Sequence, residues 1–120
     1  MYMLLTVAFA ASLSIVVIDG DTIDVNGERI RIANIDAPEI RGAKCDAEKR
    51  LGIVAKHRLE QLVQAGRLEI IPGDPKNGRV RDRHGRTLAT IRIDGDDVGE
   101  ILIRDSIARE WSGRREPWCE

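Results

Sequence analysis

Three carboxylates, Asp21, Asp36 and Glu39, and two guanidiniums, Arg31 and Arg86, come from short segments that lie well apart in the chain. The first segment is Asp19-Gly20-Asp21-Thr22. The second runs Arg-Ile-Ala-Asn-Ile-Asp-Ala-Pro-Glu from Arg31 to Glu39, and the third is Asp82-Arg83-His84-Gly85-Arg86. Hard cations such as calcium bind carboxylate and carbonyl oxygens. A phosphodiester under attack suits guanidinium groups, which match phosphate geometry with paired hydrogen bonds and stay charged at any working pH. A fold that gathers both sets has the parts to hydrolyse phosphate esters.

The elements that must position these groups are legible from pattern. Ser14–Ile18 is apolar and β-branched, and predicts a strand leading into Asp19. Thr22–Val25 predicts a second. Asn26-Gly27 predicts a tight hairpin, because both central residues of a type I′ turn need positive φ. Glu28–Ile35 then reads as the third strand, stopped before Pro38, which cannot donate to a ladder. Arg31 and Asp36 would face opposite ways on a straight strand, so they share a site only if the chain bends near Asn34–Asp36.

Asp46–Ala65 predicts a helix, with Asp46 as N-cap and a stripe of Leu51, Ala55, Leu59, Leu62 and Val63. Gly66 stands where a left-handed C-terminal cap is expected. Arg67–Ile71 and Arg86–Ile93 predict two more strands, separated by a polar, turn-rich loop over 74–85. After a turn at Asp94-Gly95, Val98, Ile101 and Leu102 suit the buried side of a short second helix. The fold class is mainly β with α+β character. Five strands with a helix between the third and fourth predict a five-stranded Greek-key barrel of the OB type carrying two helices.

Composition narrows the function. The chain has 120 residues, nearly balanced acids and bases, and a formal net charge of −1. That is one domain with a modest core. A generally basic surface is absent, so contact with nucleic acid must be local, through a few placed arginines. Aromatics are 3% of the chain, too few for a long base-stacking platform.

At the three segments the sequence resembles the staphylococcal nuclease (thermonuclease) family. The resemblance rests on D-G-D-T, R-x4-D-x-P-E and D-x-x-G-R in that order, and runs from about Ile15 to about Trp111. It implies a calcium-dependent nuclease that hydrolyses DNA and also RNA by in-line water attack. Asp21, Asp36 and the backbone carbonyl of Ala37 would hold Ca2+. Threonine is common in the family at position 37, and alanine serves because the ligand is a main-chain oxygen. Glu39 would be the general base or would position the water, while Arg31 and Arg86 would clamp the scissile phosphate at a surface cleft. Arg83 and His84 occupy positions that contact a terminal phosphate and base, although the family's usual pair there is lysine and tyrosine. Asp19 and Asp82 support the others. No stable protein partner is implied, and the expected state is a monomer.

Each residue has a blander reading. Aspartates such as Asp21 often cap turns. Glu39 could be a solvated glutamate after a proline turn, and Arg31 an outward polar residue of an alternating strand. Asp82 could simply pair with Arg86 and hold the loop. His57 lies off the apolar stripe and reads as solvated. Arg114-Arg115 could touch nucleic acid, but such a pair usually marks a solvated tail. Two rival functions are a non-catalytic OB-fold nucleic-acid-binding module and an interaction domain that has lost activity. Copies of the first kind lack the acids or arginines, and here none is missing.

Two features bear on location. The first eighteen residues carry no charge, and Met1–Ala11 matches a short export signal without its usual basic start. Residues 1–13 are thus an atypical signal or a lead-in, ahead of a domain over 14–120. Cys45 and Cys119 show neither metal spacing nor a redox C-x-x-C motif. They form one disulfide if the protein is secreted or periplasmic, the location slightly favoured, and are two free thiols if it is cytoplasmic. The chain departs from the family at Ser106, where glycine is usual, and in lacking room for a third helix.

Overall fold

The computed structural model describes residues 13–120; the Met1–Ala11 signal reading lies outside them. Strands β1 (Ile15–Asp19), β2 (Thr22–Val25) and β3 (Glu28–Ile32) form an antiparallel meander. The Asn26-Gly27 turn joins β2 to β3 with φ of 51° and 86°, as the hairpin signal requires. A short β4 (Ile35–Asp36) follows, then helix α1 (Asp46–Gln64), β5 (Leu68–Pro72), β6 (Thr87–Ile93), β7 (Asp96–Asp97), helix α2 (Val98–Arg104) and β8 (Arg109–Glu110).

The main sheet has the order β1-β2-β3-β6-β5, with β7 paired to β6. Its central β3–β6 pair is parallel and sets Arg31 opposite Leu88. A separate ribbon pairs β4 with β8 and sets Asp36 opposite Arg109. The class is α+β, with two helices among the described residues, as expected of an OB-like fold. The ladders found do not join β1 to β5, so closure of the barrel is not seen among the described residues.

The expected third strand is not continuous to Ile35. It stops at Ile32, turns at Ala33-Asn34 and restarts as β4 on a different ribbon. The reason is hydrogen bonding: Ala33 N–H still donates to Ala89 on the main sheet, while the Asn34 carbonyl accepts from Trp111 N–H on the C-terminal side. This is the bend that lets Arg31 and Asp36 approach each other.

The core lies between the sheet and the helices. Ile23, Ile32, Ile35, Ile91, Val98 and Leu102 are wholly buried, as is Leu59 of α1. The buried face of α1 is Glu48, Gly52, Ala55, Leu59 and Leu62. It is rotated slightly from the apolar stripe, because Leu51 and Val63 are only half-buried. The helix starts one residue earlier than expected: Cys45, not Asp46, is the N-cap, its side chain makes no capping bond, and Asp46 is the first helical residue.

Gly66 is not a left-handed cap either; Ala65 ends α1 in a right-handed conformation. Gly66 is small for another reason. A Cβ there would collide with the Asp94 carboxylate, which accepts the Arg67 N–H at 2.8 Å. Ser106 does take the left-handed conformation, with φ of 61°, where the family's glycine would be unstrained.

Gly52 has the largest consequence for the site. A Cβ at this position would sit 2.7 Å from the Glu39 carbonyl oxygen and 2.9 Å from that of Pro38. The missing side chain lets α1 press directly on the loop that carries Glu39. Gly52→Ala should therefore destabilise the protein by roughly 1–3 kcal/mol through overpacking, although alanine is the better helix former by about 1 kcal/mol. Urea unfolding checks this; a raised midpoint would mean that the 38–39 loop yields freely.

Candidate active site

Asp21 anchors the site. Its side chain is almost wholly buried between β2 and the corner after β3. One carboxylate oxygen accepts the Thr22 hydroxyl at 3.1 Å; the other accepts Ala37 N–H at 2.9 Å and lies 3.6 Å from Arg31 Nη2. Burial opposes the charge on Asp21, yet Arg31, Asp19 and these donors outweigh it and hold the carboxyl below its usual range. Local geometry helps. β1 has an irregular register between Val17 and Asp19, the kind of bulge that re-aims side chains. Gly20 then fits where a Cβ would meet Ala55 at 2.7 Å and Ala37 at 2.8 Å.

Arg31 is buried, not at a surface cleft as the sequence led us to expect. Its Nη1 donates to the carbonyls of Ile32 and of Ile35, the latter at 2.9 Å, so the guanidinium spans the β3–β4 corner. Its outer face lies 5.4 Å from the Trp111 ring centroid, a cation–π contact. The corner is what turned an outward strand position inward.

Asp36 is also buried. Its oxygens lie 3.2 Å from Arg115 Nη1 and 3.6 Å from Arg109 Nη2. Burial is the main force raising its carboxyl, with Asp21 adding to it; Arg115 and Arg31 pull the other way without prevailing. Asp19 is pushed up to about 7 by burial first and by the charge of Asp21 next, with a smaller push from Glu39. Asp19 also accepts Asp21 N–H at 3.2 Å, which ties the turn together.

Glu39 and Arg86 line an open cleft of about 730 Å³, with His84, Arg81 and Arg115 among its other walls. Asp82 accepts the backbone N–H groups of His84 and Arg86, both at 2.9 Å, and Arg86 Nε at 2.7 Å. Burial works against its charge, but these donors together hold the Asp82 carboxyl below its usual range. The residue builds the loop that presents Arg86. Arg83 is exposed and is not among the residues lining the cleft.

The acids divide into a buried pair, Asp21 and Asp36, and a cleft member, Glu39. Among the described residues, no group of three or more His, Cys, Asp or Glu side chains forms a metal-binding cluster. The donor set available to a cation is two buried hard carboxylates, Asp21 and Asp36, the second raised in part by the charge of the first, with Asp19, itself pushed up to about 7, beside them. Such crowding fits a hard cation that takes few protein ligands and fills its shell with water and substrate oxygens.

Three contributors were not identified from sequence. Glu48 accepts Glu39 N–H and Lys44 N–H, both at 2.9 Å, and so clamps the loop carrying Glu39 onto α1. An acidic residue in a first helical turn was the only available signal. Arg109 and Arg115 reach Asp36 from 73 and 79 residues away, and no local pattern announces contacts at such separation.

With this geometry in view, comparison with known proteins is informative. Residues 29–117 match the model of the family described as staphylococcal nuclease homologue. The chain belongs to this family. Relatives include Endonuclease YncB of Bacillus subtilis (strain 168), 35% identical over 77% of this chain and 44% of its own length. The SPbeta prophage-derived endonuclease YokF of the same organism is 34% identical over 77% of this chain and 31% of its own length. Succinoglycan biosynthesis protein ExoI of Rhizobium meliloti (strain 1021) is 37% identical over 77% of this chain and 48% of its own length. The chain spans less than half the length of each of these curated relatives.

The Glu48 clamp yields a pH test. Burial disfavours its charge, but the Lys44 and Glu39 N–H donors, helped by Arg115 and Lys44, lower its carboxyl from 4.5. A depressed carboxylate stabilises the fold above its unfolded pKa and loses that contribution as pH falls through the folded one. Glu48→Gln should cost about 2 kcal/mol at neutral pH, the scale of one charge-assisted hydrogen bond. Denaturant unfolding should show the gap to the parent narrowing below pH 4.5; a gap constant across that range would refute the clamp.

Proposed function

We propose that this protein is a calcium-dependent nuclease hydrolysing phosphodiester bonds of DNA and RNA. The observation that carries the reading is that Asp21, Arg31 and Asp36 form one buried group, which Arg115 links to Glu39 in a cleft that also holds Arg86. The endonuclease names of two relatives support it.

In this reading Asp21, Asp36 and the Ala37 carbonyl hold the calcium ion. When bound, the ion neutralises phosphate oxygens and offsets charge that builds in the transition state. Glu39 sits in the cleft, where its carboxylate orients a water or takes its proton as that water attacks phosphorus in line. Arg86 turns from Asp82 toward the phosphate; its side chain is 30% exposed and free to do so. Arg31 is fixed by two carbonyls through Nη1, which leaves Nε and part of Nη2 for phosphate. Both guanidiniums stabilise the five-coordinate phosphorus. Arg83 and His84 contact flanking nucleotides.

Cleavage of single-stranded DNA should appear with calcium and vanish in excess chelator. Magnesium should support little cleavage, since it sheds water reluctantly and demands a tight octahedral shell. Undiminished cleavage in chelator would remove the metal from the mechanism.

The two arginines should separate in a second experiment. Arg86→Lys should lower turnover by about 3 kcal/mol in the barrier, by analogy with loss of an oxyanion donor, and leave folding nearly unchanged because the residue is at the cleft. Arg31→Lys should lower turnover and stability together, because lysine lacks the fork that spans the β3–β4 corner. Rates measured beside melting curves distinguish the two. A fully stable Arg31→Lys would mean that the corner does not depend on the guanidinium.

A further inference from the structure

We propose that Arg115 is a third substrate-binding arginine, which contacts a phosphate of the strand lying in the cleft and is delivered there by a fastened C-terminal strap. The proposal builds on the nuclease reading above.

The strap is held at several points. β8 pairs with β4 at its start. Arg109 donates to the carbonyls of Glu116 at 2.7 Å and Pro117 at 3.0 Å, and its guanidinium stacks 3.7 Å from the Trp118 ring centroid. Cys119 is bonded to Cys45, at the N-cap of α1, with the two Cα atoms 6.2 Å apart. Arg115 lies between the bend at Gly113-Arg114 and these fastenings. A tail expected to be solvated is therefore fixed across the mouth of the site.

The guanidinium of Arg115 bridges two functions. Nη1 is 3.2 Å from Asp36, and Nη2 is 3.5 Å from Glu39. Its side chain remains 47% exposed, and it lines the same cleft as Arg86 and Arg81. Ion pairs this open hold weakly. The pairing also has a reason to change during the reaction. A cation on Asp36 would cancel the charge that holds Nη1, leaving a planar cationic fork facing the cleft, and a phosphodiester is the anion that such a fork fits. Without Arg115, Glu39 would lose its cationic neighbour and Asp36 would keep only the ion pair with Arg109, at 3.6 Å, so the cleft would turn more negative charge toward an incoming polyanion.

Among the other arginines lining the cleft, Arg29 is paired with Asp24 at 2.7 Å, Arg86 with Asp82 at 2.7 Å, and Arg81 donates to the Gly85 carbonyl at 3.1 Å, each within its own hairpin or loop. Arg115 is the one whose partners are the acids assigned to catalysis. It is thus placed to sense whether the site is loaded and to add a phosphate contact when it is.

The test compares Arg115→Ala, Arg115→Lys and Arg114→Ala in the disulfide-bonded protein. Arg114 is a matched control, because it carries the same charge on the same strap but is 80% exposed and paired with Glu116. Arg115→Ala should raise KM for single-stranded DNA by roughly tenfold, the scale of one charge-assisted hydrogen bond, with kcat changing much less. Arg115→Lys should recover most of the loss, and Arg114→Ala should match the parent.

Binding of a phosphorothioate oligonucleotide in calcium gives a readout that does not need turnover. The log–log salt slope for Arg115→Ala should be shallower by about 0.7, the value for one lost phosphate contact on a single strand. An unchanged KM and slope would overturn the proposal. So would faster cleavage or a lower calcium requirement in Arg115→Ala, which would make Arg115 a plug that competes with the cation. If the parent does not cleave DNA at all while the slope still falls, the nuclease reading fails and the phosphate contact stands.

Discussion

A carboxylate with almost no access to water needs a donor for each oxygen, and Asp21 obtains its donors from three parts of the chain. Thr22 is its neighbour, Ala37 lies sixteen residues on, and Arg31 projects from the adjacent strand. An unpaired buried charge would cost far more than the few kcal/mol by which a domain is stable. The β3–β4 corner must therefore form as it does: Ala37 N–H has to point at Asp21, and Arg31 has to fold inward over the carbonyls of Ile32 and Ile35. Once that corner is in place, Asp36 is buried beside Asp21 and Glu39 emerges at the cleft. The geometry of the site follows from satisfying this one anion.

The same requirement explains why small residues surround the site. Gly20 and Gly52 stand at contacts where even a methyl group would collide with Ala37, Ala55 or the backbone of Pro38 and Glu39. Their absent side chains bring the Asp19–Asp21 turn, α1 and the 37–39 loop into direct contact. Glu48 adds the polar complement, accepting N–H groups that the loop could not otherwise pair. Close packing and hydrogen bonding thus fix the loop from one side, while the cleft leaves the other side open.

The C-terminal strap gives the site its third wall. Closing a loop across the 74-residue separation of Cys45 and Cys119 restricts the unfolded chain, worth about 4 kcal/mol in the chain-entropy model. The strap brings Arg109 and Arg115 onto Asp36, so a buried acid that lacks a local cationic partner acquires two distant ones. The near-zero net charge is consistent with this economy.

Sequence alone determined the features governed by local physics. Positive φ at Asn26-Gly27 made the hairpin, helical spacing made α1, and the Asp82–Arg86 turn closed on its own side chain. The ordered acids and arginines also pointed to the family, since their types and order are preserved whatever the fold does between them. Tertiary structure decided the rest. The split of the third strand depends on Asn34 pairing with Trp111, 77 residues away. The inward turn of Arg31 depends on that split, and the role of Gly66 depends on Asp94 arriving from another hairpin. Arg115 looked like a solvated tail because its partners, Asp36 and Glu39, are more than seventy residues distant. Periodicity and turn chemistry report only on neighbours within a turn or two of chain, whereas burying a charge draws its counter-charges from wherever the fold can supply them.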